Sequence, residues 1–192
     1  MSAAPASGWN RVDLDAVMPQ RWRNGAGLTR ELAAWPDAQD WAWRISVAEV
    51  SASGPFSHWP GVSRWFAVLG GAGLSLTVGG TSHALGTQSA PLAFDGASPC
   101  SCELRDGPTQ DLNLMLRQGR AQASMRRVHG RHSAAWTKPV TLAVYAVDAA
   151  ARIELDGETW DLPARSLGWR RLEAPARVDL TAKHALWMEI EP

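Results

Sequence analysis

The chain has 192 residues, 45% hydrophobic and 20% charged, a composition that excludes a disordered polymer and suffices for one generous domain or two small barrels. Its 19 basic and 19 acidic side chains cancel, so no net charge draws the molecule to nucleic acid or to an anionic membrane surface. Arg, Asp or turn residues interrupt every apolar run short of a membrane span.

Met1–Gly8 is small and polar, with neither the charged start nor the apolar run of a secretory leader, so a cytoplasmic location is expected. A short helical turn is predicted near Leu14–Met18, stopped by Pro19, and a second helical candidate covers Gln118–Met125. Everything else reads as strand. Ala42–Val50 alternates, with Trp43, Ile45 and Val47 on one face and Arg44, Ser46 and Ala48 on the other. Arg64–Leu69 follows, then Leu74–Val78 and Thr81–Leu85 around the hairpin turn Gly79-Gly80. Ala90–Phe94, Ser101–Leu104 and Leu112–Arg117 are separated by Asp-Gly turns.

A leaner second round contains Val140–Val147, Arg152–Leu155, Glu158–Asp161, Arg177–Thr181 and His184–Ile190. Short strands at this spacing point to a sandwich or barrel. The halves read as one theme stated twice, with a first barrel over 1–120, a connector and smaller barrel over 121–192, and no linker between them. The acid-free stretch between Asp111 and Asp148 holds Arg117, Arg120, Arg126, Arg127, Arg131 and Lys138. No aromatics interleave with these arginines, so a solvated connector or a dimer rim is expected in place of a phosphate-binding stripe.

Two features of composition stand out. Of the 19 basic residues only Lys138 and Lys183 are lysines, and arginine suits forked recognition of carboxylates. Eleven tryptophans accompany one tyrosine and three phenylalanines, and core filling is the expected role for most of them. Cys100 and Cys102 are too close for an unstrained disulfide and too few for a zinc site, so they read as reduced thiols in a strand.

The segment Gly54–Gly73 (GPFSHWPGVSRWFAVLGGAG) resembles the first motif of the cupin superfamily, a His-x-His pair followed by Glu and then Gly. The matching series is His58, Pro60, Arg64 and Gly71, so Pro stands for the second His and Arg for the Glu. A guanidinium at the carboxylate position repels a cation and offers a fork to an anion. No metal and no cofactor are therefore expected. Arg64 either clamps a ligand or forms a structural ion pair with a neighbouring strand, Glu49 being the candidate.

In DLNLMLR (Asp111–Arg117), Leu112, Leu114 and Leu116 face one way and Asp111, Asn113, Met115 and Arg117 the other. The polar face orients a ligand in an apolar cavity, or is the solvent side of a sheet; taken alone, the strand reads as the latter.

WRNGAGLTREL (Trp22–Leu32), WAWRISVAEV with GPFSHWPGVSR, LAFDG (Leu92–Gly96) and LRDGPTQDLNLMLRQG (Leu104–Gly119) resemble the HutD/Ves family in order and spacing, over about half the chain. Ala26 stands where the usual pattern has a third Gly. The resemblance implies an all-β double cupin, two jelly-roll barrels with very little helix. It also implies a protein linked with histidine utilisation that binds or senses a small anionic metabolite of the formylglutamate or urocanate kind. The family positions matched here include Arg64, Arg44, Ser46, Asn113, Asp111, Thr29, Glu31 and Arg117 as ligand-binding candidates. Asn24 and Asp95 also match and read as turn residues, and Ser57 and Phe94 complete the set.

Ligand binding is the leading expectation. The alternative is a metal-independent isomerase or hydrolase, for which His58 with Asp111 or Glu31 is the one proton-carrying pair in reach of the motif. A third reading is an interaction module, with homodimerisation in view. Nucleic acid and membrane partners are not expected.

Overall fold

The structure, a computed structural model, describes residues 8–192, so the leader-free reading of the N-terminus falls largely outside the described residues. Its strands are β1 (Asn10–Asp13), β2 (Gln20–Arg21), β3 (Gly27–Trp35), β4 (Trp43–Val50), β5 (Gly54–Pro55), β6 (Val62–Gly70), β7 (Leu74–Val78), β8 (Thr81–Leu85) and β9 (Leu92–Asp95). They continue as β10 (Cys100–Leu104), β11 (Thr109–Arg117), β12 (Gln122–Trp136), β13 (Val140–Ala146), β14 (Ala151–Leu155), β15 (Glu158–Leu162), β16 (Ser166–Leu172) and β17 (Ala176–Glu191). Among the described residues the sole helical element is the 3-10 turn Leu14–Ala16, where a helical turn was expected. No helix among them is long and apolar enough to cross a membrane, which says nothing of strands. The architecture is the all-β, two-barrel one that the sequence suggested.

Two units form: Val17–Ala121, and residues 8–16 together with Gln122–Pro192. In Val17–Ala121 a six-stranded sheet runs β2-β3-β4-β11-β6-β9 and a four-stranded sheet runs β5-β10-β7-β8. The Gly79-Gly80 turn joins β7 to β8 with φ of 55° and 87°, a left-handed pair that suits a two-residue hairpin and that glycine adopts freely. Ala48, Val50, Phe66 and Val68 of the larger sheet pack with Leu74, Leu76, Leu85 and Cys102 of the smaller. Burying each large side chain of this kind stabilises the fold by about 1.5–3 kcal/mol.

The centre of the larger sheet positions the site. β11 pairs with both β4 and β6, so Asn113 lies opposite Ser46 and Phe66, and Met115 lies opposite Arg44 and Arg64. Because side chains alternate along a strand, Arg44, Ser46, Arg64, Asn113 and Met115 share one face. The other face carries Ile45, Val47, Leu112 and Leu114, also buried. The polar face of β11 is therefore not a solvent side: Asp111 is fully buried and Asn113 is 7% exposed.

The second unit is a sheet in the order β1-β16-β13-β17-β14-β15, with β12 on the free side of β17. Its interior is apolar, built by Trp9, Leu142, Val144, Ile153, Leu180 and Trp187 among others. The indole N–H groups of Trp136 and Trp187 both donate to Glu189, at 3.2 and 2.8 Å. Three expectations change here. Gln118–Met125 is not a helix, because residues 118–120 turn and β12 begins at Gln122. The Arg-rich stretch is not a solvated connector, because β17 templates it as a 15-residue strand with Met125 and Val128 buried. Asn10–Asp13 pairs with β16, so residues 8–16 fold with the C-terminal strands and not with the first barrel.

Candidate functional site

The Val17–Ala121 unit holds a cavity of about 600 Å³. Its floor is the shared face described above: Thr29, Arg44, Ser46, Arg64, Asn113 and Met115, with Ala48, Val50 and Phe66 beside them. Pro55, Phe56, Ser57 and Trp59, on the segment that leads into β6, form one wall. Gln20–Asn24, on β2 and the turn after it, form the other.

Arg64 is the unusual residue. It is 6% exposed, and its Nη2 donates to Asn113 Oδ1 at 2.6 Å. Its Nε is buried without a hydrogen-bond partner, and no carboxylate lies within ion-pair distance of it among the described residues. Phe56 and Phe94 stack on the guanidinium, their ring centres 5.9 and 5.0 Å from its carbon. Burial pushes the pKa of Arg64 below its ordinary value; nearby Cys100 opposes that shift and Arg44 adds to it. A guanidinium still keeps its proton, so this is a buried positive charge short of a counter-ion. The expected alternative, an ion pair with Glu49, is not formed, because Glu49 is taken by Arg30.

Arg44 supplies a second positive charge across Met115 from Arg64. Its Nε donates to Glu31 Oε2 at 2.6 Å, which leaves its terminal nitrogens without a protein partner among the described residues. Two strand spacings separate the backbones of these arginines, about 10 Å. The rest of the floor is organised by a few contacts. Trp22 Nε1 donates to Thr29 Oγ1 at 2.7 Å, and the Trp22 ring meets Phe56 edge-on, with Phe56 in turn tilted against Phe66. Ser46 is buried on the floor two residues along β4 from Arg44, opposite Asn113. The polar groups aimed inward are mostly donors.

Cupin-like barrels invite a test for a metal. A divalent cation is held by imidazole, thiolate or carboxylate ligands. The cavity lining contains no His, Cys, Asp or Glu, and it contains four arginines. Among the described residues no group of three or more such ligands comes together anywhere. The residues present do not fit a metal ion.

Of the eight ligand-binding candidates, Arg64, Arg44, Ser46, Asn113 and Thr29 line the cavity together and three do not. Glu31 stands behind Arg44 as its partner. Asp111 lies fully buried off the cavity, its Oδ2 accepting from Thr109 Oγ1 at 2.8 Å and its Oδ1 without a partner. Burial pushes its pKa up to about 7. Arg117 sits over the Trp41 ring at 5.0 Å and donates to Asp40 at 2.8 Å, a carboxylate it shares with Arg120. His58 is exposed and bonded to the Ala97 carbonyl, so it forms no pair with Asp111 or Glu31.

Asn24 does shape its turn, its Oδ1 accepting from the Ala26 amide at 3.1 Å, yet it also lines the cavity. Asp95 caps the turn after β9, accepting from Ala97 N at 2.9 Å. The aromatic wall and the mouth residues Arg21 and Arg23 were not singled out. Their one signal in the sequence is the alternation of arginine and tryptophan over Arg21–Arg23, three residues that carry no period of their own.

The sequence-family model HutD matches residues 15–188. The chain belongs to the HutD family. Among its HutD-family relatives, Protein Ves of Cronobacter sakazakii is 39% identical over 115 residues, 59% of this chain and 64% of that protein. The chain thus spans under two thirds of that relative's length. An uncharacterized 21.2 kDa protein in the hutC 3' region of Pseudomonas putida is 30% identical over 138 residues, covering 71% of this chain and 72% of that one. The solved structure of HutD from Pseudomonas fluorescens, in a formate condition, superposes with a TM-score of 0.83 at 28% identity, covering 95% of this chain and 97% of that one. A Cupin 2 conserved barrel domain protein from Leptotrichia buccalis, at 10% identity and TM-score 0.56, shares the fold alone.

Proposed function

We propose that this HutD-family chain is a metal-independent binding protein whose first barrel takes a small carboxylate metabolite, with a sensing or regulatory role linked to histidine utilisation. One observation carries the reading: Arg64 is a buried guanidinium on the cavity floor with an amide, not a carboxylate, for its partner. Leaving a buried charge without a counter-ion is expensive, and an anionic ligand removes that cost. Arg44, held by Glu31 through Nε alone, can meet the same anion or a second one. Asn113 and Ser46 then orient the rest of the molecule, and Trp22, Phe56 and Phe66 cover its apolar part.

Two relatives add direction. The Pseudomonas putida protein is named for its place beside hutC, and the Pseudomonas fluorescens HutD structure was obtained in a formate condition, formate being the smallest carboxylate. A cytoplasmic site of action and ligands of the formylglutamate or urocanate kind belong to this proposal.

Thermal unfolding with N-formylglutamate and with urocanate at millimolar concentration tests it. At about 100 times Kd a ligand adds about 2.7 kcal/mol, a rise in Tm of about 5–10 °C for a chain of this size. The rise is expected in the wild type and absent in Arg64→Ala, which still unfolds cooperatively. An Arg64→Ala protein stabilised as much as the wild type would overturn the reading. A turnover of either compound that disappears in His58→Ala would favour an enzyme instead.

A further inference from the structure

We propose that the ligand carries two acid groups, and that the second is held at the cavity mouth by Arg21 and Arg23. The inference rests on the reading that Arg64 and Arg44 take the first carboxylate, and it adds the class of molecule that fits.

Arg21 and Arg23 flank Trp22 at the end of β2 and the start of its turn, and both line the cavity. Both are exposed, and neither has an acidic partner within ion-pair distance among the described residues. Most exposed arginines in this protein are answered by an acid, although among the described residues Arg105 and Arg131 are not. Arg117 and Arg120 share Asp40, Arg152 holds Asp161, and Arg165 holds Asp15. Two adjacent cations left unanswered at the rim of a cavity whose floor is also cationic form one continuous anion field.

The turn that carries them is fixed in place. Trp22 N donates to the Gly27 carbonyl at 3.0 Å and Gly25 N to the Trp22 carbonyl at 3.0 Å. Trp22 is tied down again by Thr29 at 2.7 Å and by the edge of Phe56. The mouth arginines therefore project from an anchored support, while their side chains stay free to reach.

Distance sets the ligand's length. Arg21 lies opposite Leu28, and Leu28 opposite Glu49, five residues along β4 from Arg44. At about 3.3 Å per residue the two ends of the site are about 16–17 Å apart along the strands, less the reach of the arginine side chains. Between them lie Trp22 and Phe56 of the two walls and Phe66 of the floor. The matching molecule has an acid at each end and an apolar or flat middle.

Calorimetric titration with straight-chain monocarboxylates and with α,ω-dicarboxylates from succinate to pimelate tests this, with a phosphonate analogue of the best dicarboxylate as a third arm. One member of the dicarboxylate series should bind about three- to tenfold tighter than the monocarboxylate of equal length, the gain expected of an exposed ion pair. The double substitution Arg21→Gln, Arg23→Gln should erase that margin, while monocarboxylate affinity falls by less than the margin itself. Retention of the margin by the phosphonate assigns the mouth to acids in general, and its loss assigns it to carboxylates. Equal binding of the two classes by the wild type, or a margin that persists in the double variant, overturns the proposal. Binding of either class that survives in Arg64→Ala would instead contradict the reading of the inner site.

Discussion

Asn113 is where a single atom decides what the cavity can do. Its Oδ1 accepts from Arg64 Nη2, while the adjacent Arg64 Nε stays unpartnered, so half of a forked arginine site is filled by a neutral amide. A carboxylate there would complete the fork and neutralise the guanidinium. Asn113→Asp is therefore expected to leave the protein at least as stable as the wild type while weakening carboxylate binding about tenfold or more, by calorimetry; undiminished binding would contradict this. Asp111 presents the reverse problem, a buried acid without a cation. Its folded pKa of about 7 lies above the ordinary 3.8, so the folded state holds the proton more tightly than the unfolded chain. Stability contributed by the protonated form is then full below about pH 4 and falls as pH rises toward 7, by up to about 4 kcal/mol. Asp111→Asn keeps an acceptor for Thr109 and removes the ionisation. Denaturant unfolding between pH 4 and pH 8 should show a flatter profile and higher stability at pH 8 for this variant than for the wild type.

At the scale of elements, the alternation of β4 and β11 made their faces legible from the sequence. Arg44 and Ser46 against Ile45 and Val47, and Asn113 against Leu112 and Leu114, fall as period two requires. What alternation could not reveal is that both faces of β11 are covered, since a buried polar face and a wet one have the same pattern. β12 was missed for a related reason: its burial is sparse, and its partners on β17 lie forty or more residues further on. Arg117 was misplaced because it is the last residue of β11, one beyond the last rung shared with β4, where its side chain turns to Trp41 and Asp40. The wall that carries Trp59 depends on one close approach. Gly96 N donates to the Val62 carbonyl at 2.7 Å, its own carbonyl accepts from Trp59 N at 2.8 Å, and a Cβ at Gly96 would stand 2.7 Å from the first and 2.8 Å from the Trp59 carbonyl. Gly96→Ala should cost about 1–3 kcal/mol in denaturant unfolding, and should weaken ligand binding through the displaced Trp59.

At the scale of the whole chain, the two units repeat a barrel theme with opposite contents. The interior of the second is closed by Trp9, Trp187, Ile153 and their apolar neighbours, whereas the first keeps arginines around an open volume. Duplication was legible in the sequence as strand rhythm; the division of labour was not, because it depends on which residues of each strand face inward. One ligand per chain is the expected stoichiometry. The crystal structure of the protein grown with glutarate would measure this and the inner site together. Density for one glutarate per chain, with an oxygen of one of its carboxylates at about 3 Å from Arg64 Nε or Nη, is the predicted result. Glutarate bound elsewhere, Arg64 swung out to solvent, or a metal ion beside it would contradict the assignment.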